Sequence, residues 1–302
     1  MNITAVSLVI FSSFIHVYWN VTSKRRGASA AFFLLASLAA GVILLPCLYL
    51  ERRVLPFLPP LFWILVTATG IFQTIYFAGL TRAYQNGDMS VTYPLLRAVP
   101  VVAVALISLL LQDGLEPRGW GLVGIGLVAL GCLMLPLVSF RKVRFSDYLN
   151  LSCLFALLAA VGTTGYSLVD DRALRILGSQ QGVNLGRAEI ALLYLTVQTL
   201  STIVFLGILV ALDREERARL ACSWPKDIPA AFQVCILLNS AYGLVLAAMT
   251  LSSSVSYVVA FRQLSIPLGA LVGMTLQKEP RHLPRIVGVG IVSLGLVVVA
   301  IA

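Results

Sequence analysis

Charge is what this chain has least of. Charged residues fill 12% of its 302 positions, about half the share expected of a soluble domain, while hydrophobic residues fill 59% and the mean hydropathy is +0.93. That shortage excludes a water-soluble globule. Acidic side chains are scarcer still, 13 against 22 basic ones, and every Asp and Glu is expected in a loop or within a turn or two of a helix end. The five cysteines, Cys47, Cys132, Cys153, Cys222 and Cys235, are scattered, with none of the paired spacings that bind metal or staple small secreted domains. No metal cluster, catalytic triad or pair of mid-chain carboxylates is visible. Neither a metal, a cofactor nor an enzymatic activity is therefore expected; an intramembrane transferase would need a nucleophile beside a base. The run "GLVGIG" lies inside an apolar segment with no strand before it, so it is no nucleotide loop.

What is present is a series of long apolar segments. They fall near residues 3–22, 29–50, 60–81, 90–112, 119–139, 148–169, 188–212, 228–250, 254–276 and 285–302. Each is close to the roughly 20 residues a helix needs to cross a bilayer core. The fold class expected is an all-α polytopic membrane protein of ten transmembrane helices. The first segment lacks a basic n-region and a small-residue cleavage site, which makes it the first span and not a signal peptide. The net charge of +9 would suggest nucleic acid in a soluble protein. Here the basic residues gather between segments, where cytoplasmic lysine and arginine fix orientation, and no nucleic acid is expected as a partner. Most lie in odd-numbered connections, among them Lys24, Arg25, Arg26, Arg141, Lys142, Arg214, Arg217 and Lys278. That bias puts the odd loops in the cytoplasm and both termini on the far side. The run "DREERARL" at 213–220 reads as a short amphipathic or irregular surface loop without a site.

The chain also repeats itself. Ser254 follows Ser90 by 164 positions, and at that offset "SVTY" at 90–93 meets "SVSY" at 254–257, Gly79-Leu80 meets Gly243-Leu244, and Gly124, Gly126 and Gly131 meet Gly288, Gly290 and Gly295. Two units are expected, residues 1–145 and 146–302, each of five spans. An odd number of spans turns the second copy upside down relative to the first, an arrangement used by many secondary transporters, with the substrate at the midplane between the halves.

The stretch "FAGLTRAYQNGDMSVTYPLLRAVP" in the first unit, with "FRQLSIPLGALVGMTLQKEP" and "GVGIVSLG" in the second, resembles the EamA-type transporters of the drug/metabolite transporter superfamily. The resemblance implies a multi-pass carrier of the bacterial inner membrane, often an exporter, for amino acids, related metabolites or drugs. It further implies a cavity lined by the first four and the sixth to ninth spans, with the fifth and tenth at the periphery.

An ionisable residue deep in a span is a functional candidate, since inserting it costs about 2.5–3.5 kcal/mol even on lenient scales. Three qualify: Arg97, Arg262 and His16. Arg97 lies seven residues beyond Ser90 and Arg262 eight beyond Ser254, roughly 10–12 Å along each helix and near the midplane. Two guanidiniums at matching positions would grip carboxylate or phosphate oxygens; alternatively each ties carbonyls released by Pro94, Pro100 and Pro267, where helices are expected to bend. His16 opens the stripe "HVYWN", which carries Trp19 and Asn20 on one face, and the sixth segment offers Thr163, Tyr166 and Ser167 at similar spacing. Gln73 and Tyr76, and Asn239 and Tyr242, are pairs three apart in the third and eighth segments. Tyr93 and Tyr257 are the matched tyrosines of the repeated tetrapeptide, and Gln263 adjoins Arg262. A polar cavity would satisfy these hydroxyls and amides, as would helix-to-helix hydrogen bonds. With no carboxylate at mid-span to compensate a cation, the substrate expected is a small anionic or zwitterionic organic metabolite, amino-acid-like or phosphonate/carboxylate-like, moved by alternating access. The alternative is a multidrug or lipophilic-compound exporter of the same family, and a channel or intramembrane enzyme is favoured less. A proton is the candidate coupling ion, by way of His16, of Asp170 or Asp171, or of the substrate itself. The glycines of "GLVGIGLVALG" and "GVGIVSLG" are read as close-packing faces.

Overall fold

A computed structural model describes residues 3–25, 29–86, 89–111, 119–134, 151–180, 185–224, 226–268 and 282–301, together with 117, 137 and 139. Eleven α-helices run through them: α1 Ile3–Arg25, α2 Ala30–Leu50, α3 Pro60–Asn86, α4 Met89–Leu111, α5 Trp120–Met134, α6 Leu151–Ser179, α7 Arg187–Leu212, α8 Arg214–Ser223, α9 Ile228–Met249, α10 Val255–Phe261 and α11 Leu283–Ile301. No strand occurs among the described residues. Six of the helices, α2, α3, α6, α7, α9 and α11, are long and apolar enough to cross a membrane, and shorter apolar stretches lie in α1, α4, α5 and 255–268.

The ends of these helices carry the polar residues that their unpaired amides require. Ser29 caps α2 by accepting from the Phe32 amide at 3.2 Å. Glu189 reaches back from the first turn of α7 to accept from the Gly186 amide at 2.7 Å. Asp213 caps α8 through the amides of Glu215 and Glu216. The segment 213–220, expected as a loop, is therefore the start of a short helix. Its Glu216 is buried and accepts from the Ala31 amide at 2.8 Å, so a carboxylate sits on the N-terminus of α2, where the helix dipole favours it.

Two departures from the expected spans matter for the site. The ninth span, expected over 254–276, is helical only to Phe261 before a 3-10 turn over Arg262–Leu264, after which residues 265–268 are helical again. Pro267 has no amide to offer the Gln263 carbonyl and its ring crowds that carbonyl, which accounts for the tightened turn one step earlier. The sixth span, expected to end at 169, runs to Ser179, so that Asp170 lies inside α6.

The helices pack in pairs that map onto one another when α1, α2, α3, α4 and α5 are exchanged with α6, α7, α9, α10 and α11. The α3–α6 contact then becomes α9–α1, α3–α7 becomes α9–α2, and α4–α6 becomes α10–α1; the pairs α2–α7 and α5–α11 map onto themselves. Glycine permits the closest of these approaches. A Cβ on Gly124 would lie 2.9 Å from the Gly295 carbonyl, and one on Gly131 would lie 2.7 Å from the Gly288 carbonyl, so the α5 and α11 backbones touch. Gly126 and Gly290, on the same two helices, face open space. Gly79 and Gly162 do for α3 and α6 what Gly124 and Gly295 do for α5 and α11.

Candidate functional site

The polar faces of α1, α3, α6, α7 and α9 turn inward around a cavity of about 60 Å³. From α1 come Ser12, His16 and Trp19, four and three residues apart and hence on one face; from α3, Gln73 and Tyr76; from α6, Tyr166; from α9, Asn239 and Tyr242. Arg262, on the 3-10 turn, completes the wall. A smaller cavity of about 20 Å³ adjoins it, sharing His16, Tyr76, Tyr166 and Arg262 and adding Arg97, Thr163 and Gln263. The arginines expected at matching positions of the fourth and ninth spans thus face one space.

Three tyrosine rings form the floor between them. Tyr76 meets Tyr166 edge-on at 5.9 Å between centroids, and Tyr166 meets Tyr242 edge-on at 5.6 Å. The Arg262 guanidinium lies over the Tyr242 ring, 5.4 Å from its centroid, and lines the same two cavities as Tyr166. Stacking on the ring positions that guanidinium without cancelling its charge.

His16 holds the other arginine. Its Nδ1 accepts from the Trp19 indole N–H at 3.1 Å, while its Nε2 lies 2.5 Å from an Arg97 terminal nitrogen. A neutral imidazole has one nitrogen able to accept, and the two flanking groups are both obligate donors. The ring therefore accepts from one of them at a time, the choice being set by its tautomer. Two amide oxygens are unmatched among the described residues: Gln198 Oε1, on the larger cavity, and Gln263 Oε1, on the smaller one, are buried without a hydrogen-bond partner. They would receive the N–H of a ligand.

Nine of the residues expected at the site, Arg97, Arg262, His16, Trp19, Tyr76, Tyr166, Asn239, Tyr242 and Gln263, line these two cavities. The side chains of Asn20 and Tyr93 lie outside the described residues. Tyr257 lines neither cavity. Its hydroxyl sits against Gly121, 2.4 Å from where a Cβ on that glycine would stand, so this ring packs α10 on α5. Sequence reasoning missed α7, whose Gln198, Thr199 and Thr202 form a polar strip on the larger cavity. The signal was there, as uncharged polar residues spaced one and four apart in an apolar run.

The larger correction concerns Asp170. Expected near a helix end at the headgroups, it is fully buried. Its Oδ1 accepts from the Thr69 hydroxyl at 2.5 Å and the Tyr194 hydroxyl at 2.7 Å, and its Oδ2 accepts from Tyr242. Three donors from α3, α7 and α9 replace the water the carboxylate gave up, which lets α6 continue past it. The inference from a chain without interior carboxylates therefore fails as stated, although Asp170 is shut off from both cavities, behind Tyr242.

Comparison with known proteins agrees with this arrangement. No curated protein matches the chain. Among solved structures, 27 chains match, one of them a crystal structure with a TM-score of 0.65 at 13% identity, covering 98% of this chain and 97% of its own, which shows a shared fold. Residues 3–137, somewhat under half of the chain, match the EamA-like transporter family.

Proposed function

We propose that this protein is a secondary transporter of the bacterial inner membrane that carries a small anionic or zwitterionic organic metabolite by alternating access. Ten spans in two inverted halves, 1–145 and 146–302, would rock about the central cavity. The observation that carries the reading is the convergence of Arg97 and Arg262 on one cavity with His16 between donors. Two fixed positive charges suit carboxylate or phosphonate oxygens, and the buried oxygens of Gln198 and Gln263 suit the ammonium or amide N–H of a zwitterion. Tyr76, Tyr166, Asn239 and Tyr242 supply the remaining polar wall. Exchangeable packing pairs such as α3–α6 and α9–α1 support the two-half arrangement. Among the described residues, a cationic ligand would find no acidic group lining the cavity, because Asp170 is sealed by hydroxyls and does not line it.

The test is a thermal-shift screen of the purified protein against amino acids, phosphonates, nucleosides and dicarboxylates, followed by uptake of the hits into proteoliposomes. A ligand that binds the folded state raises its melting temperature with occupancy. The reading expects saturable uptake of an anionic or zwitterionic hit, lost in Arg97→Gln and Arg262→Gln variants that still fold. Normal transport by both variants, or a lipophilic cation as the best substrate, would sink it.

A further inference from the structure

Beyond the cavity wall, α6, α7 and α9 share a second layer. On α6, Tyr166 lines the cavity, Asp170 follows, and Asp171, Leu174 and Arg175 face a wide vestibule at one end of the helices. On α7, Gln198 lines the cavity and Arg187 and Ile190 face the vestibule, with Tyr194 between them. On α9, Tyr242 is at the cavity, and Thr250, just past the end of the helix, is at the vestibule. Asp170 and Tyr194, with Tyr242 on its cavity side, therefore separate the two spaces, joined by Thr69 from α3.

We propose that Asp170 is the proton-carrying group that couples this transporter to a pH gradient, and that its hydrogen-bonded layer is the barrier that the proton opens. The inference rests on the carrier reading above and names its coupling ion and site. Its first support is that a carboxylate buried within a membrane protein is functional by default. The second is the make-up of its shell. All three partners are hydroxyls, and a hydroxyl can donate or accept. With Asp170 ionised, all three donate to it, as in the structure. When a proton binds, an O–H bond forms on the carboxyl, which donates to one hydroxyl, and that hydroxyl turns its own hydrogen away. The carboxyl group thus keeps hydrogen-bond partners in both states. A guanidinium or ammonium partner would have allowed only the ionised one.

The third support is where the change is felt. Tyr242, one of the three donors, carries the Arg262 guanidinium over its ring and lines the cavity. Thr69 belongs to the first half of the chain, while Asp170, Tyr194 and Tyr242 belong to the second. Loss of the carboxylate charge loosens contacts between the halves and moves the residue that supports the substrate arginine in one event. On the opposite side of the cycle the O–H bond breaks, the proton leaves to solvent, and the three donors close on the carboxylate again.

The other charged and titratable groups around Asp170 are accounted for among the described residues. Arg262 acts on it from beyond the Tyr242 ring, and Tyr166 stands one turn earlier on α6 against the same ring. Of the remaining helices packed on α6, α4 brings Arg97, which faces His16, and α10 brings Tyr257, which faces Gly121. Asp171, next in sequence, is paired with Arg175 at 2.8 Å.

Wild type and Asp170→Asn are compared in proteoliposomes with a radiolabelled mixture of l-amino acids as probe, both in exchange at equal pH and in accumulation against an imposed pH gradient. The expected result is accumulation by wild type, and in Asp170→Asn exchange that continues while accumulation falls to the equilibration level. Gradient-driven accumulation by Asp170→Asn overturns the proposal, as does wild-type exchange that ignores the gradient; the second outcome leaves the carrier reading standing. Absence of wild-type exchange counts against the amino-acid reading alone. The proton site is then decided by infrared difference spectroscopy of the purified protein, where acidification should raise a carboxylic acid C=O band that is missing in Asp170→Asn. No such band overturns the proposal. Should Asp170→Asn fail to fold, Tyr194→Phe keeps the carboxyl and removes one donor to its ionised form, so the pH midpoint of the band should move upward; an unmoved midpoint refutes the role of the shell.

Discussion

Arg82 on α3 and Asp213 at the junction of α7 and α8 stand 2.9 Å apart, a salt bridge that ties α3 to the α7–α8 junction at the end of the bundle away from the vestibule. Asp213 also caps α8, and the amides of Glu216 and Glu215, with Arg82, hold its carboxyl below the usual carboxylate range. A group whose folded pKa is depressed stabilises above its unfolded value, about 3.9, and loses that contribution as pH falls through the folded value. Asp213→Ala should cost about 1 kcal/mol at neutral pH through the lost cap, with the deficit shrinking in acid below about pH 4. Asp213→Asn keeps the cap and should cost less, since an exposed pair contributes about 0–1 kcal/mol. Melting in detergent at neutral and acid pH measures both.

Glu216 gives a second test of the same end of the molecule. Replacing its charge but not its hydrogen bond, as in Glu216→Gln, should remove about 0.3–1 kcal/mol of dipole interaction with α2. Glu216→Ala leaves the Ala31 amide without its acceptor and should cost about 1–3 kcal/mol. Equal melting temperatures for the two variants would contradict the contact.

The α5–α11 face supplies its own control. Gly295→Ala would set a methyl 2.8 Å from the Gly124 carbonyl and from the Val128 amide, and overpacking of that kind costs about 1–3 kcal/mol. Gly126→Ala and Gly290→Ala point into open space and should be neutral or slightly stabilising, because alanine is the better helix former. A thermal-shift series over the three variants distinguishes a packing face from a general intolerance of the helix.

Within the cavity, the tyrosines should separate. Tyr166→Phe removes a hydroxyl from the wall that both cavities share and should weaken substrate affinity about tenfold or less, the effect of losing one hydrogen bond of about 0.5–1.5 kcal/mol. Tyr257→Phe lies outside both cavities and should leave the transport constants near wild type. Concentration-dependent uptake of a hit from the screen reads both.

How far the site could be read from the sequence differs residue by residue. Arg97 and Arg262 were legible because charge in an apolar run is rare and the repeated "SVxY" put them at matching depths. Repetition misled for Tyr257, since a register shared by two helices does not make them turn the same face to the same neighbour. Asp170 was not legible: "VDDR" reads as a helix end until the three hydroxyls at 69, 194 and 242 are brought to it, and only the tertiary fold does that. The α7 strip of Gln198, Thr199 and Thr202 carries no charge and so escaped a search keyed to ionisable groups. The glycine faces of α5 and α11 were legible as a whole, but which glycines touch was not, because the facing helix decides it.

The length of α6 sets a mechanical ratio. Its 29 residues extend about 43 Å, against about 30 Å of hydrocarbon, so one end stands clear of the apolar layer as a rigid post. Gly162 is one of the points at which its backbone comes closest to that of α3, and from there Tyr166 is about 6 Å along the axis and Ser179 about 26 Å. A rigid tilt about that point would swing the Ser179 end about four times as far as the tyrosine, so that small displacements beside the cavity would be enlarged at the vestibule rim.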